Sequence, residues 1–186
     1  MNTANTLTCV RIFLAFVLLF FILTDGFFWK TAAILVFVLA SLTDYWDGKI
    51  ARATGQITAF GKLMDPIADK FLTLFAFVAF TQKGIVSAWM VVLVVARDFL
   101  ITGVRLMLPP KGDSRAARPS GKNKTAIQFV FILGVLLYLA TRDTSFWNPA
   151  WNPTANLIIR GSMFLVVVIT LWSGAVYLIK NRQMFE

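Results

Sequence analysis

Apolar residues run through this chain in long blocks separated by short polar stretches; the third opens on Gly61, Asp65, Pro66 and Asp69, and the fourth is interrupted by Arg97, Asp98 and Arg105. The blocks cover residues 12–23 (extendable back to Leu7), 31–42, 60–80, 85–108, 125–140 and 157–179. None shows the period of two expected of a barrel strand, so helices are predicted throughout. With its flanks, each block approaches the roughly 20 residues that a helix needs to cross a bilayer. The pattern predicts an all-α integral membrane protein, one domain over residues 1–186, with six transmembrane helices. Asn5 or Thr6 is expected to cap the first helix. Arg11 before an apolar run resembles a signal peptide, but no small-x-small cleavage site follows, so a retained span is expected.

The breaks are equally legible. Asp25-Gly26, a loop at 53–58 containing Gly55, and Lys83-Gly84 separate the first four blocks. Pro109-Pro110 stops the fourth, and a polar segment at 111–124 follows. A loop at 142–153 holds Trp147, Trp151 and two prolines, which suits an interfacial anchor.

Composition sharpens this picture. Hydrophobic residues make up 58% of the chain and charged ones only 15%, too few for a soluble domain. The 18 Lys+Arg against 9 Asp+Glu are unevenly spread. With six spans, most cations fall at the two termini and in the 48–62 and 111–124 segments, while the opposite loops carry Lys30, Lys83 and Arg142. The positive-inside rule then sets both termini in the cytoplasm. This asymmetry accounts for the net positive charge, so no nucleic-acid partner is expected. There is no His, which excludes histidine bases, Ser-His-Asp triads and histidine metal sites. Cys9 stands alone, so no internal disulfide can form.

Of the nine acids, four fall between positions 44 and 69. Asp44 and Asp47 are spaced i, i+3, and Asp65 and Asp69 i, i+4. On helices, each spacing puts both side chains on one face. The second helix is expected to close at Asp44 and Asp47, and the third to open at Asp65 and Asp69. Pro66 suits a first turn; in a helix starting at Gly61 it imposes a kink. Four clustered carboxylates repel one another, more so near lipid, and two divalent cations would neutralise them. Oxygen-only ligands favour Mg²⁺ or Mn²⁺. The alternative is four interfacial charges solvated in a loop. Gly48 and Gly61 would let a backbone approach a diphosphate, or simply end and pack helices. Arg52 would reach a phosphate, pair with an Asp, or only orient its loop.

Written out, the stretch is Asp44-x-x-Asp47-Gly48-x-x-Ala51-Arg52, eight residues, Gly61-x-x-x-Asp65-x-x-x-Asp69. It resembles the complete signature of the CDP-alcohol phosphotransferase family. Asn5-Thr6-Leu7-Thr8-x-x-Arg11, Asp65-Pro66-x-Ala68-Asp69-Lys70, Ala96-Arg97-Asp98 with Arg105 beyond, and Gly121-Lys122-x-Lys124-Thr125 resemble one branch of it, whose acceptor is sn-glycerol 3-phosphate. That branch often has Glu where this chain has Asp98.

The resemblance implies a reaction in which the acceptor hydroxyl attacks the β-phosphorus of CDP-diacylglycerol and CMP leaves. It implies that Asp44, Asp47, Asp65 and Asp69 bind two Mg²⁺ or Mn²⁺ ions, and that Asp69 takes the hydroxyl proton. Gly48, Ala51, Arg52 and Gly61 would line the CDP site, helped by Asn5 and Thr8. An acceptor phosphate requires cations, for which Arg105, Arg118, Lys122 and Lys124 lie on the correct side. The same cluster would also suit a loop attracted to anionic lipid. Arg97 and Asp98 lie deeper and are expected to pair. By analogy with relatives, a homodimer is expected, with the Phe-rich third and fourth spans as candidate faces, in a bacterial plasma or inner membrane. Two rivals stay open: a sister enzyme using inositol, inositol phosphate, serine or a lipid as acceptor, and a cation transporter using the acidic cluster.

Overall fold

A computed structural model describes the backbone of residues 3–54, 59–107 and 118–180, and the side chains of 9–43, 67–68, 70–104, 106 and 125–180. Six α-helices account for nearly all of it: α1 (Thr3–Leu23), α2 (Phe27–Thr54), α3 (Ala59–Gln82), α4 (Ala88–Met107), α5 (Arg118–Arg142) and α6 (Asn152–Lys180). A 3₁₀ turn, Pro149–Trp151, precedes α6, and no strand occurs among the described residues.

The helices match the apolar blocks in number and order but overrun them. The reason is physical: a helix needs backbone hydrogen bonds along its whole length, and apolar side chains only where it meets lipid or core. Thus α2 continues past residue 42 to Thr54, so Asp44 and Asp47 lie inside it rather than closing it. Residues 118–124, expected in a loop, form the first turns of α5, with Pro119 in the first turn where its missing N–H costs nothing. α1 starts at Thr3, so Asn5 and Thr6 are helical rather than capping. Because α3 starts at Ala59, Pro66 is interior and withholds one helical hydrogen bond from the Lys62 carbonyl. The expected loop at 53–58 is shortened by α2, and residues 55–58 lie outside the described residues, as does the Pro109-Pro110 stop.

The helices close a ring in the order α1, α2, α5, α6, α4, α3 and back to α1, with α3 also touching α5. The core stripes keep helical spacing: Ala15, Leu18 and Ile22 on α1; Ala33, Phe37 and Ala40 on α2; Ala68, Leu72, Ala76 and Phe80 on α3; Ile132, Leu136 and Leu139 on α5. The many alanines let helix axes approach closely. The outward faces are apolar too, with Phe13, Phe16 and Phe20 on α1 and Leu157, Phe164 and Trp172 on α6 all exposed. Helices apolar on every side belong in lipid. Among the described residues, Thr125–Arg142 and Pro149–Lys180 are long and apolar enough to cross a membrane, and Cys9–Leu23, Phe27–Thr43 and Lys70–Gln82 are shorter apolar stretches.

One end of the bundle is stapled by polar contacts. The Lys30 ammonium, fully buried, donates to the carbonyls of Ile22 (2.6 Å) and Thr24, the last turn of α1, where a cation also suits the helix dipole. Lys83, from the turn before α4, pairs with Asp25 between α1 and α2. The Lys83 ammonium holds the Asp25 carboxyl below its ordinary value of 3.8. Asp25 therefore adds stability above that pH and loses it as pH falls through its lowered value, a small effect for so exposed a group. Asp143 accepts from the Gly26 N–H at 3.0 Å, tying the α5–α6 connection to the same place. In that connection, Trp147 stacks edge-on against Tyr138 and donates to Asn152 at 2.9 Å.

Gly26 has φ +115°, a conformation closed to other residues, although a side-chain carbon there would meet nothing closer than Trp29 Cδ1 at 3.7 Å. Gly26→Ala is therefore expected to destabilise the fold through its backbone alone, by about 1–3 kcal/mol. Asp143→Ala, which strands the Gly26 N–H, is expected to cost about 1 kcal/mol. Thermal unfolding in detergent checks both, with Gly161→Ala, in open space on α6, as a control that stays near wild type.

Candidate active site

The site is built on the end of the bundle opposite the staple. There α1 begins, α2 ends, α3 begins, α4 ends and α5 begins. Asp44 and Asp47 sit on α2, with Gly48, Ala51 and Arg52 following on the same helix. Gly61, Asp65 and Asp69 sit on α3. The side chains of all eight lie outside the described residues, so their placement is one of helix and register.

Register alone is informative. Asp44 lies ten residues before Thr54, the end of α2, and Asp69 ten residues after Ala59, the start of α3. At 1.5 Å per residue, both stand about 15 Å from their helix ends. Asp47 and Asp65 stand about 10 Å and 9 Å from the same ends. α2 and α3 are consecutive, are joined by residues 55–58, and touch each other. Two helices so linked run antiparallel, and the two aspartate pairs lie at one depth along them. Four carboxylates on two adjacent helices, in a chain without His, form an oxygen-rich donor set of the kind that suits hard divalent cations. α1, which packs on both α2 and α3, carries Asn5 and Thr8 at this end.

The proposed acceptor cations also share the end. Arg105 is on the last turn of α4, and Arg118, Lys122 and Lys124 are on the first two turns of α5. Their side chains, too, lie outside the described residues. The start of α5 adds the positive end of its helix dipole.

Two buried charges flank this region. Arg11, read from the sequence as one of the orienting cations, is only 4% exposed on α1, three residues past Thr8. Asp98 is 5% exposed on α4 and, as expected, pairs with Arg97, whose Nη1 donates to Oδ1 at 3.2 Å. Asp98 also accepts from Gln128 on α5, a contact the sequence reading missed. The signal was present: a lone amide in an apolar run needs a partner. Lys70 and Thr73, just past Asp69, share a small cavity with Asp98, about 10 Å³ in volume, room for no more than one water.

Comparison with known proteins points to one family. The family model for CDP-alcohol phosphatidyltransferases matches residues 1–172. A Bacillus subtilis protein named CDP-diacylglycerol–glycerol-3-phosphate 3-phosphatidyltransferase is 37% identical over 153 residues, 82% of this chain and 74% of its own length. Proteins of the same name from Escherichia coli K12 and Rickettsia typhi are 33% identical over 191 aligned positions (97% of this chain, 95% of the relative) and 38% identical over 137 (73% and 76%). The chain belongs to the CDP-alcohol phosphatidyltransferase family.

Proposed function

We propose that this protein transfers the phosphatidyl group of CDP-diacylglycerol to sn-glycerol 3-phosphate, giving phosphatidylglycerol phosphate and CMP. The observation that carries this reading is the resemblance, over nearly the whole chain, to relatives named for that reaction. The level register of the two aspartate pairs supports it from the chemistry side.

Asp44, Asp47, Asp65 and Asp69 would hold two divalent cations, Mg²⁺ or Mn²⁺. Bound there, the cations supply charge to the donor diphosphate and to the departing CMP. The rest falls to the chain's own residues. The Asp69 carboxylate takes the proton of the acceptor hydroxyl as its oxygen bonds to the β-phosphorus. The bond from that phosphorus to the CMP oxygen breaks, and CMP leaves with the electron pair. Gly48 and Gly61 leave room for a diphosphate against the helix backbones, with Ala51, Arg52, Asn5 and Thr8 completing the nucleotide side. Arg105, Arg118, Lys122 and Lys124 bind the acceptor phosphate, Arg by paired hydrogen bonds and Lys as a point charge.

The same reading has all six helices crossing the membrane, with both termini and the site on the cytoplasmic side, an orientation that the distribution of Lys and Arg supports. The donor's acyl chains then stay in lipid while its diphosphate reaches the end of the bundle. A homodimer belongs to this proposal as well.

The purified protein with CDP-diacylglycerol is expected to release CMP with glycerol 3-phosphate and not with inositol, inositol phosphate or serine. CMP release with inositol phosphate alone would transfer the protein to a sister reaction. Asp69→Asn is expected to lower turnover by about 10³-fold or more while CDP-lipid still binds. Undiminished turnover would remove Asp69 as the base. Arg118→Ala is expected to raise the acceptor KM by about tenfold, with the donor KM nearly unchanged. Weakening of the donor alone would move the pocket elsewhere.

A further inference from the structure

Halfway along α4, a mostly apolar helix, Arg97 and Asp98 stand side by side. Both side chains are nearly sealed, at 11% and 5% exposure. Besides its bond to Asp98, Arg97 donates from Nη2 to Ser173 Oγ on α6 at 3.2 Å. Gly174 makes room for it, since a side-chain carbon there would stand 2.6 Å from Arg97 Nε. The other oxygen of Asp98 accepts from Gln128 Nε2 on α5 at 3.0 Å, and Gln128 is 1% exposed. One carboxylate and one guanidinium thereby hold α4, α5 and α6 together.

Stability alone accounts for this poorly. Well-packed apolar side chains of the same volume often serve at least as well as a buried ion pair. The Oε1 of Gln128, moreover, is buried without a hydrogen-bond partner, which costs stability. Position accounts for it better. Gln128 lies one turn past Lys124 on α5, and Asp98 two turns before Arg105 on α4. Elsewhere α4 packs on α3 and α6, and α5 on α2, α6 and α3. The Asp98–Gln128 bond therefore spans the two helices whose ends carry the four cations assigned to the acceptor phosphate. The same carboxylate borders the cavity with Lys70 and Thr73, next to Asp69 in the chain.

We propose that Asp98 is a positioning residue for the acceptor: by holding Gln128 it fixes the register of α5 against α4, and with it the spacing of Lys122 and Lys124 from Arg105. The proposal rests on the acceptor-phosphate reading above. A phosphate gripped from two helices is sensitive to their offset, and a shift of about 1 Å is enough to misalign an attacking hydroxyl.

The test uses the full-length protein in detergent–lipid micelles. KM for glycerol 3-phosphate, KM for CDP-diacylglycerol and the thermal midpoint are measured for each variant. Asp98→Asn and Gln128→Met are each expected to raise the acceptor KM about tenfold and leave the donor KM within about twofold. Asp98→Asn combined with Gln128→Glu rebuilds the bond with its polarity reversed, and is expected to bring the acceptor KM back to within about threefold of wild type. Should Asp98→Asn fail to fold, Gln128→Met carries the test. A lowered thermal midpoint with both KM values unchanged would overturn the proposal, leaving the network as scaffold only. In that case Arg118→Ala still reports on the pocket, whose reading stands if the acceptor KM rises. If Arg118→Ala is silent while the Asp98 and Gln128 variants act and the double variant rescues, the register role holds and the cation assignment fails.

Discussion

Four residues connect α2 to α3, and so short a link leaves the two helix ends level with each other. Everything at the active end is built on that constraint. It sets Asp44 level with Asp69 and Asp47 level with Asp65 in helical register. A longer link would let the helices slide, and a slide of one turn moves a carboxylate by about 5.4 Å, beyond the reach of a shared cation. The alternation of helix direction then brings the end of α4 and the start of α5 to the same side of the bundle.

The two ends of the bundle are made differently. At the far end, loops are tied to one another through Asp25, Lys30, Lys83 and Asp143, and a glycine in an unusual conformation seals the corner. In the interior, among the described residues, the Asp98–Gln128 and Arg97–Ser173 contacts each span two helices. Such contacts cost desolvation, so they are found where geometry matters more than net stability. The stapled end keeps the helices in place, and the active end is shaped by what sits between them.

The helices were plain in the sequence because, in a chain so poor in charge, a long continuous apolar run can satisfy its backbone polar groups in lipid only by coiling into a helix. Their ends were hidden. The polar first turns of α5 and the last turns of α2 look like loop by hydropathy, yet backbone hydrogen bonding carries the helix through them. Hidden too was the face each helix buries, since Phe13 and Leu18 are equally apolar and only packing separates them. The acidic quartet was readable because its i, i+3 and i, i+4 spacings are local. The partners of Lys30, Asp143 and Gln128 were not, because each lies on another segment and no local period announces it.

The order of helices around the ring bears on how the chain reaches its finished form. α1, α2 and α3 touch one another and can pack as soon as they exist. α4, however, meets α6 only when the last helix is made, and α2 waits for α5. Until then Arg97 lacks Ser173 and Asp98 lacks Gln128, and the side of the pair that α5 and α6 cover stays open. The contacts of α2 and α4 are thus completed only by the final third of the chain. A product truncated before α6 keeps Gln128 for Asp98 but lacks Ser173 and the space at Gly174 that receives Arg97.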